Sequence, residues 1–255
     1  MAGETKSADL TGAEEFLPQF KEIMDREGYT EDQVFNADET ALYWRIMPDT
    51  TLALKDDATA NKGYKQIKDR MTLLLATNWS GSCKLKPLVI GKSQNPRCFH
   101  HINMEKLPVI YRATKNAWMT GALFQEWFQK QFIPAVRKHL RSLGKPPRAC
   151  LFVDNCKAHP EADVLQVGED FKVFFLPKNT TSLIQPLDQG IISAFKRFYR
   201  TALVDGAVRE GTNVTSYLKK LTIKDAVYMV KDAWGRVHPC LLEESVGQPL
   251  QTGRR

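Results

Sequence analysis

Three aspartates, Asp38, Asp154 and Asp188, stand where the sequence around them changes character. Asp38 closes a short strand-like run at 33–38, Asp154 follows the unbroken apolar run 149–153, and Asp188 ends an extended segment just before a helical pattern. Strand ends let side chains project into open space while the sheet fixes their positions, so carboxylates from distant segments can converge there. Acids gathered at one point repel each other unless cations intervene. Magnesium or manganese, two ions shared by such carboxylates, would activate a water or a 3′ hydroxyl and stabilise the leaving oxygen of a phosphodiester. That chemistry needs neither a nucleophilic side chain nor an organic cofactor. Taken singly, each residue also has an ordinary explanation: a turn residue at 38, an Asx-turn at 154, a helix N-cap at 188.

The elements that must position these acids read as an α/β chain. Thr11 to Glu14 has capping-box spacing, and Phe16, Phe20, Ile23 and Met24 recur at helical intervals before Gly28. Two short strands are expected at 33–38 and 42–46, a polar loop at 55–70, and antiparallel strands at 71–78 and 85–90 around the Ser80-Gly81-Ser82 turn. A long helix follows from a Thr120 cap to Gly144, with Leu123, Phe124, Trp127, Phe128, Phe132, Ile133, Val136 and Leu140 on its apolar face. Buried strands at 149–153 and 171–176 come next, with a short helix at 160–167 between them. A helix at 188–203, a linker at 205–213 and a last helix near 223–237 complete the pattern. Strands first, then strands alternating with helices, predict a mixed sheet covered by helices.

Charge narrows the function classes. The net charge is +7, but residues 1–40 hold 11 of the 29 acids and only 3 of the 36 bases, which leaves +15 on the remainder. A body this basic suits a polyanion, and nucleic acid is the natural candidate, although a merely solvated basic surface has the same composition. No stretch has the length and apolarity of a membrane span, and residues 1–9 lack the basic and apolar regions of a secretory signal. Cys83, Cys98, Cys150, Cys156 and Cys240 are an odd, scattered set that reads as reduced thiols.

The wording around the acids goes further. Asn36-Ala37-Asp38-Glu39-Thr40 with Leu42-Tyr43-Trp44, Val153-Asp154-Asn155 with Ala158-His159-Pro160, and the segment from Pro177-Lys178-Asn179 through Gln185-Pro186-Leu187-Asp188-Gln189-Gly190 resemble the pogo and Tigger branch of the DDE transposases. That branch includes the jerky-like proteins and centromere protein B. The resemblance runs from Phe16 to Tyr199, taking in Leu73-Leu74-Leu75, Lys84-Leu85-Lys86-Pro87 and Asn116-Ala117-Trp118-Met119-Thr120. It implies an RNase H-like, retroviral integrase-like mixed sheet flanked by helices. It also implies metal-dependent strand cleavage and transfer on DNA, with Asp38, Asp154 and Asp188 as the catalytic, metal-holding carboxylates for two Mg2+ or Mn2+ ions. The 33 residues between the last two acids match the short spacing of this branch. Ala41 stands where glycine is usual, and Cys156-Lys157 where small apolar residues are usual; neither is a ligand position.

Other residues are weighed against bland roles. Glu39 adjoins Asp38 on a strand, so it points to the opposite face and reads as supporting rather than ligating. His159 suits a phosphate contact, the orientation of a ligand, or packing at a helix start. Cys98, His100 and His101 lack a second ligand pair at finger spacing, and the same objection covers Cys150, Cys156 and His159, so no zinc site is expected. Lys178, Thr180, Thr181, Gln185, Lys196, Arg197 and Arg200 are the candidates for nucleic-acid contact, against the ordinary alternative of solvated loop and helix faces. Trp118 and Trp127 read as core rather than base-stacking residues.

The expected organisation is an acidic helical lead-in at 1–33, the catalytic domain at 34–205, a helical extension at 206–239 and a disordered tail at 240–255. Family members carry two helix-turn-helix domains ahead of the catalytic domain, and this sequence has no room for them. The expected partners are therefore DNA and either a second copy or a protein that supplies recognition, with residence in the nucleus. Two functions follow: an active endonuclease and strand transferase, or a domesticated DNA-associated or protein-interaction module that keeps the fold without cutting.

Overall fold

The computed structural model describes residues 9–47, 69–165, 168–211 and 214–238. The expected tail at 240–255, Cys240 and nearly all of the expected loop at 55–70 lie outside the described residues. A six-stranded mixed sheet organises the rest, in the order β4-β3-β2-β1-β5-β6, with β1 at Val34–Tyr43, β2 at Arg70–Asn78, β3 at Leu88–Gly91, β4 at Ile110–Ala113, β5 at Ala149–Val153 and β6 at Phe171–Phe175. β1, β2 and β3 form an antiparallel meander, while β1, β5 and β6 run parallel. This is the RNase H-like arrangement that the resemblance implies, with β4 added parallel to β3. Central strands covered on both faces need apolar residues throughout, and Met71 to Ala76 and the whole of β5 are accordingly buried.

Alternation along β1 divides the core. Phe35 and Ala37 face a layer built by α2 (Gly121–Trp127) and α3 (Ile133–Ser142), in which Phe35 meets Phe132 edge-on at 5.3 Å. The opposite face is covered by α1 (Leu10–Glu27) over β5 and β6, and by α6 (Ile191–Glu210), α7 (Val214–Lys220) and α8 (Ile223–Arg236) over the meander. Two short helices, α4 (Ala162–Leu165) and α5 (Thr181–Ile184), flank β6 in sequence. Lys84 binds α8 to the sheet, its ammonium donating to the carbonyls of Trp234 at 2.9 Å and Val237 at 2.7 Å, where a helix C-terminus leaves acceptors unpaired.

Several sequence expectations needed correction. The two short strands at 33–38 and 42–46 are one continuous strand, because all nine residues from Phe35 to Tyr43 pair with β2. The first helix is capped by Asp9, whose side chain accepts from Gly12 N, rather than by Thr11. The long helix from 120 is interrupted by a π turn at Phe128–Phe132, directly before Pro134, which has no N–H to offer the preceding turn. β4 carried no strand expectation, being only four residues long. The linker expected at 205–213 is helical as far as Glu210. Gly206, which suggests a break, instead admits the ring of Tyr217, since a Cβ there would meet the Tyr217 hydroxyl.

Candidate active site

The parallel β1–β5 pair joins Asn36 to Phe152 at a sequence offset of 116. Carried two residues further, the same offset sets Asp38 alongside Asp154, one position past the end of β5. Asp38 is thus in the middle of β1 rather than at its end; the shortness of β5 leaves it at an edge. Asp188 ends a 3-10 turn, Pro186–Asp188, two residues before Gly190, which caps α6 with φ 112°. It therefore precedes the helix instead of capping it.

A buried amide network fixes this loop on the strand. Asn36 donates from Nδ2 to Phe152 O at 2.9 Å and to Gln185 Oε1 at 2.6 Å, while its Oδ1 accepts from Leu187 N at 3.2 Å. Gln185 Nε2 donates to Ala37 O at 3.1 Å. Residues 185 and 187 are thereby stitched to Asn36 and Ala37 of β1, which brings Asp188 close enough for its charge to act on Asp38.

The electrostatics record the convergence. Asp38 is only 6% exposed, and its carboxyl is held well above the usual range, first by burial and then by the charges of Asp188, Glu39 and Asp154, against one hydrogen bond from Glu39 N at 2.8 Å. Asp154 is partly open, yet its Oδ1 is buried and has no well-aligned hydrogen bond. Lys196, half-buried on the first turns of α6, has its ammonium pulled below the usual range by burial and by Arg200, while Asp188 and Asp38 draw it back. One lysine thus faces the acids.

His159 organises the opposite side. Its Nε2 lies 3.1 Å from Glu39 Oε1, and its Nδ1 lies 2.9 Å from Asp154 O and 3.1 Å from Asp154 Oδ1. Burial opposes a charge on the ring, but hydrogen bonding to Asp154, Cys156 and Glu39 outweighs it and pushes the imidazole up to about 12. Asp154, Cys156 and His159 offer ligand atoms within 4.8 Å of one another. His159 bridges Glu39 and Asp154, so it is placed to orient Asp154, and Glu39 to orient His159. This is the supporting role expected of Glu39.

The remaining candidates divide. Lys178, Arg197 and Arg200 are exposed, and Thr181 is half-buried. Thr180 and Gln185 do not line a channel: both are fully buried, Thr180 donating to Pro177 O at 2.7 Å and Gln185 serving the Asn36 network. Trp127 is core as expected, but Trp118 is not; it is 61% exposed, because the loop before α2 turns it outward. Asn36 went unread as a positioning residue, though its place two residues before Asp38, on the same strand face, was a usable signal. Asp38, Glu39, Arg70, Trp118, Asp154 and Lys157 all line one cleft of about 450 Å3.

The model of the DDE superfamily endonuclease family matches residues 68–245. This chain belongs to that family. The matched range holds Asp154 and Asp188, and the likeness to relatives extends over most of the chain. The human "Jerky protein homolog" is 38% identical over 238 residues, covering 92% of this chain and 40% of that protein. The human "Tigger transposable element-derived protein 7" is 36% identical over 240 residues, covering 88% and 43%. This DDE chain therefore spans about two fifths of the length of these relatives. Among solved structures, the catalytic domain of Mos1 mariner transposase aligns over 94% of this chain and 93% of its own, with 12% identity and a TM-score of 0.43. No helix among the described residues is long and apolar enough to cross a membrane.

Proposed function

We propose that this transposase-derived DDE domain performs metal-dependent cleavage and joining of DNA phosphodiesters, with Asp38, Asp154 and Asp188 as the metal-holding carboxylates. The observation that carries the reading is the state of Asp38: a carboxyl buried in the middle of a core strand, with three other carboxylates acting on it. A fold gains no stability from such an arrangement, since burying like charges without compensation is destabilising. A resident cation removes the conflict, and the donor set fits one. All the proposed ligands are hard oxygens, the donor type that magnesium and manganese take. Divalent cations bound there supply Lewis-acid activation of a water or 3′ hydroxyl and charge relief at the leaving oxygen.

The chain's own residues do the positioning. β1 and β5 hold Asp38 and Asp154 rigidly, the Asn36–Gln185 network sets Asp188 against them, and the Glu39–His159 pair fixes the Asp154 carboxylate. Lys196 beside Asp188 and Asp38 is placed to meet a phosphate oxygen, and the exposed Arg197 and Arg200 on the same helix suit flanking phosphates. This reading carries with it residence in the nucleus, and a second copy or partner protein that contributes target recognition.

Incubating supercoiled plasmid with the protein and manganese, beside an Asp154→Asn control, tests it. Nicking and linearisation by the unaltered protein alone are expected. Equal, background-level conversion by both would leave the fold as a DNA-associated module that does not cut.

A further inference from the structure

Trp118 is the most exposed aromatic side chain among the described residues, at 61%, and it lines the same cleft as Asp38 and Asp154. Its surroundings are built rather than loose. Thr114 Oγ1 accepts from Trp118 N and donates to Trp118 O, both at 2.9 Å, and Ala117 N donates to Thr114 O at 3.0 Å. Thr72 on β2 donates to Ala117 O at 2.7 Å, pinning a residue that is fully buried and holds a φ of 54°. A backbone this constrained holds the indole in the cleft wall at little further cost in conformational freedom.

The guanidinium of Arg70 lies 4.3 Å from the centroid of the Trp118 ring, and its Nη2 is buried with no hydrogen-bond partner among the described residues. An exposed indole backed on one face by an arginine presents its other face to a flat, electron-rich ring. The cleft wall sets Asp38, Glu39 and Lys157 beside the apolar Ala41, Met119 and Ala158, a mixture that suits a base with its phosphate.

We propose that Trp118 and Arg70 form a stacking platform for an unpaired DNA base next to the phosphate that is cut. The proposal rests on the DNA-cutting reading and adds a substrate preference to it. Inside a duplex both faces of a base are covered by its neighbours, and a blunt end offers only the outer face of a paired base; a frayed, flipped or overhanging base can enter the cleft. The domain should therefore favour DNA whose end is open over a blunt duplex of the same sequence.

Fluorescence anisotropy with a labelled duplex carrying a single-stranded overhang, compared with the blunt duplex, separates the cases. The unaltered protein is expected to prefer the overhang. Trp118→Ala is expected to weaken overhang binding roughly 5- to 100-fold, the range that loss of one stacked base implies, and to erase the preference. Its dependence on salt should stay unchanged, since no charge is removed. Trp118→Phe, which keeps an aromatic face, should retain most of the affinity. 2-Aminopurine in the overhang should be quenched on binding to the unaltered protein, a readout that needs no variant. Binding with no quenching, or equal affinities for Trp118→Ala and the unaltered protein, would overturn the platform and leave the DNA reading standing. Absence of any DNA binding by the unaltered protein at low salt would overturn both.

Discussion

The side-chain amides of Asn36 and Gln185 meet at 2.6 Å in the fully packed interior, joining the central strand to a loop 149 residues further along the chain. Removing either partner strands buried polar groups, at about 1–3 kcal/mol. Asn36→Ala and Gln185→Ala are expected to lower the melting temperature by roughly 3–10 °C for a chain of this size. The loop bearing Asp188 should also come loose, so the rise in melting temperature on adding manganese should shrink. Scanning fluorimetry with and without the ion checks both effects; an undiminished rise would mean that the network stabilises without positioning.

Asp38 makes a prediction of opposite sign. Its folded carboxyl binds a proton more tightly than it does in the unfolded chain, where such a group titrates near about 4. Stability in EDTA should therefore be greatest below that value and decline as pH rises toward the folded one. Asp38→Asn should remove the decline and melt higher than the unaltered protein at pH 7 without metal. With manganese the ranking should reverse. Urea unfolding across this pH range, in EDTA and then in manganese, is the measurement, and a destabilised Asp38→Asn in EDTA would contradict the account.

His159 acts through Asp154, so its removal should weaken cation binding without removing a ligand. His159→Ala is expected to reduce manganese affinity about 10-fold or more, the usual effect of losing a group that orients a ligand. Glu39→Gln should cost less, because its amide oxygen still accepts from Nε2. Calorimetric titration distinguishes these from Asp154→Asn, which should abolish the linked binding; equal affinity for His159→Ala and the unaltered protein would exclude the orienting role.

Far from the site, Asp32 accepts from Ser80, Ser82 and the ammonium of Lys145, which hold its carboxyl down at about 2. A lowered folded value contributes stability above about 4 that is lost as pH falls through 2. After allowance for solvent screening of this partly open pair, Asp32→Asn should cost about 1 kcal/mol at pH 7, and the gap should narrow between pH 5 and pH 3. A gap that stays constant over that range would rule out the ionised carboxylate as its source.

What could be read in advance depended on how local the cause was. The run 149–153 announced a buried strand because both faces of β5 are covered, and Asp154 at its end followed. Asp38 was found by its motif but misplaced at a strand end, since the length of β1 is set by pairing with β2, about 27 to 43 positions later. Thr180 and Gln185 looked like polar loop residues; only the folded chain reveals that Pro177 O takes the Thr180 hydroxyl and that β1 consumes the Gln185 amide. Trp118 was assigned to the core by its apolar character, which cannot report that Thr114 and Ala117 turn the chain outward.

The strand that bears Asp38 lies in the first sixth of the chain, yet its parallel neighbour β5 and the loop stitched over it by Gln185 come well over 100 residues later. Contacts so far apart in sequence form late and together, because the intervening chain must first be closed into a loop. A nascent or clipped polypeptide ending before β5 therefore cannot set the three acids of the proposed centre together. If the proposed DNA cleavage holds, it would wait on the finished fold, a delay set by the order of the strands.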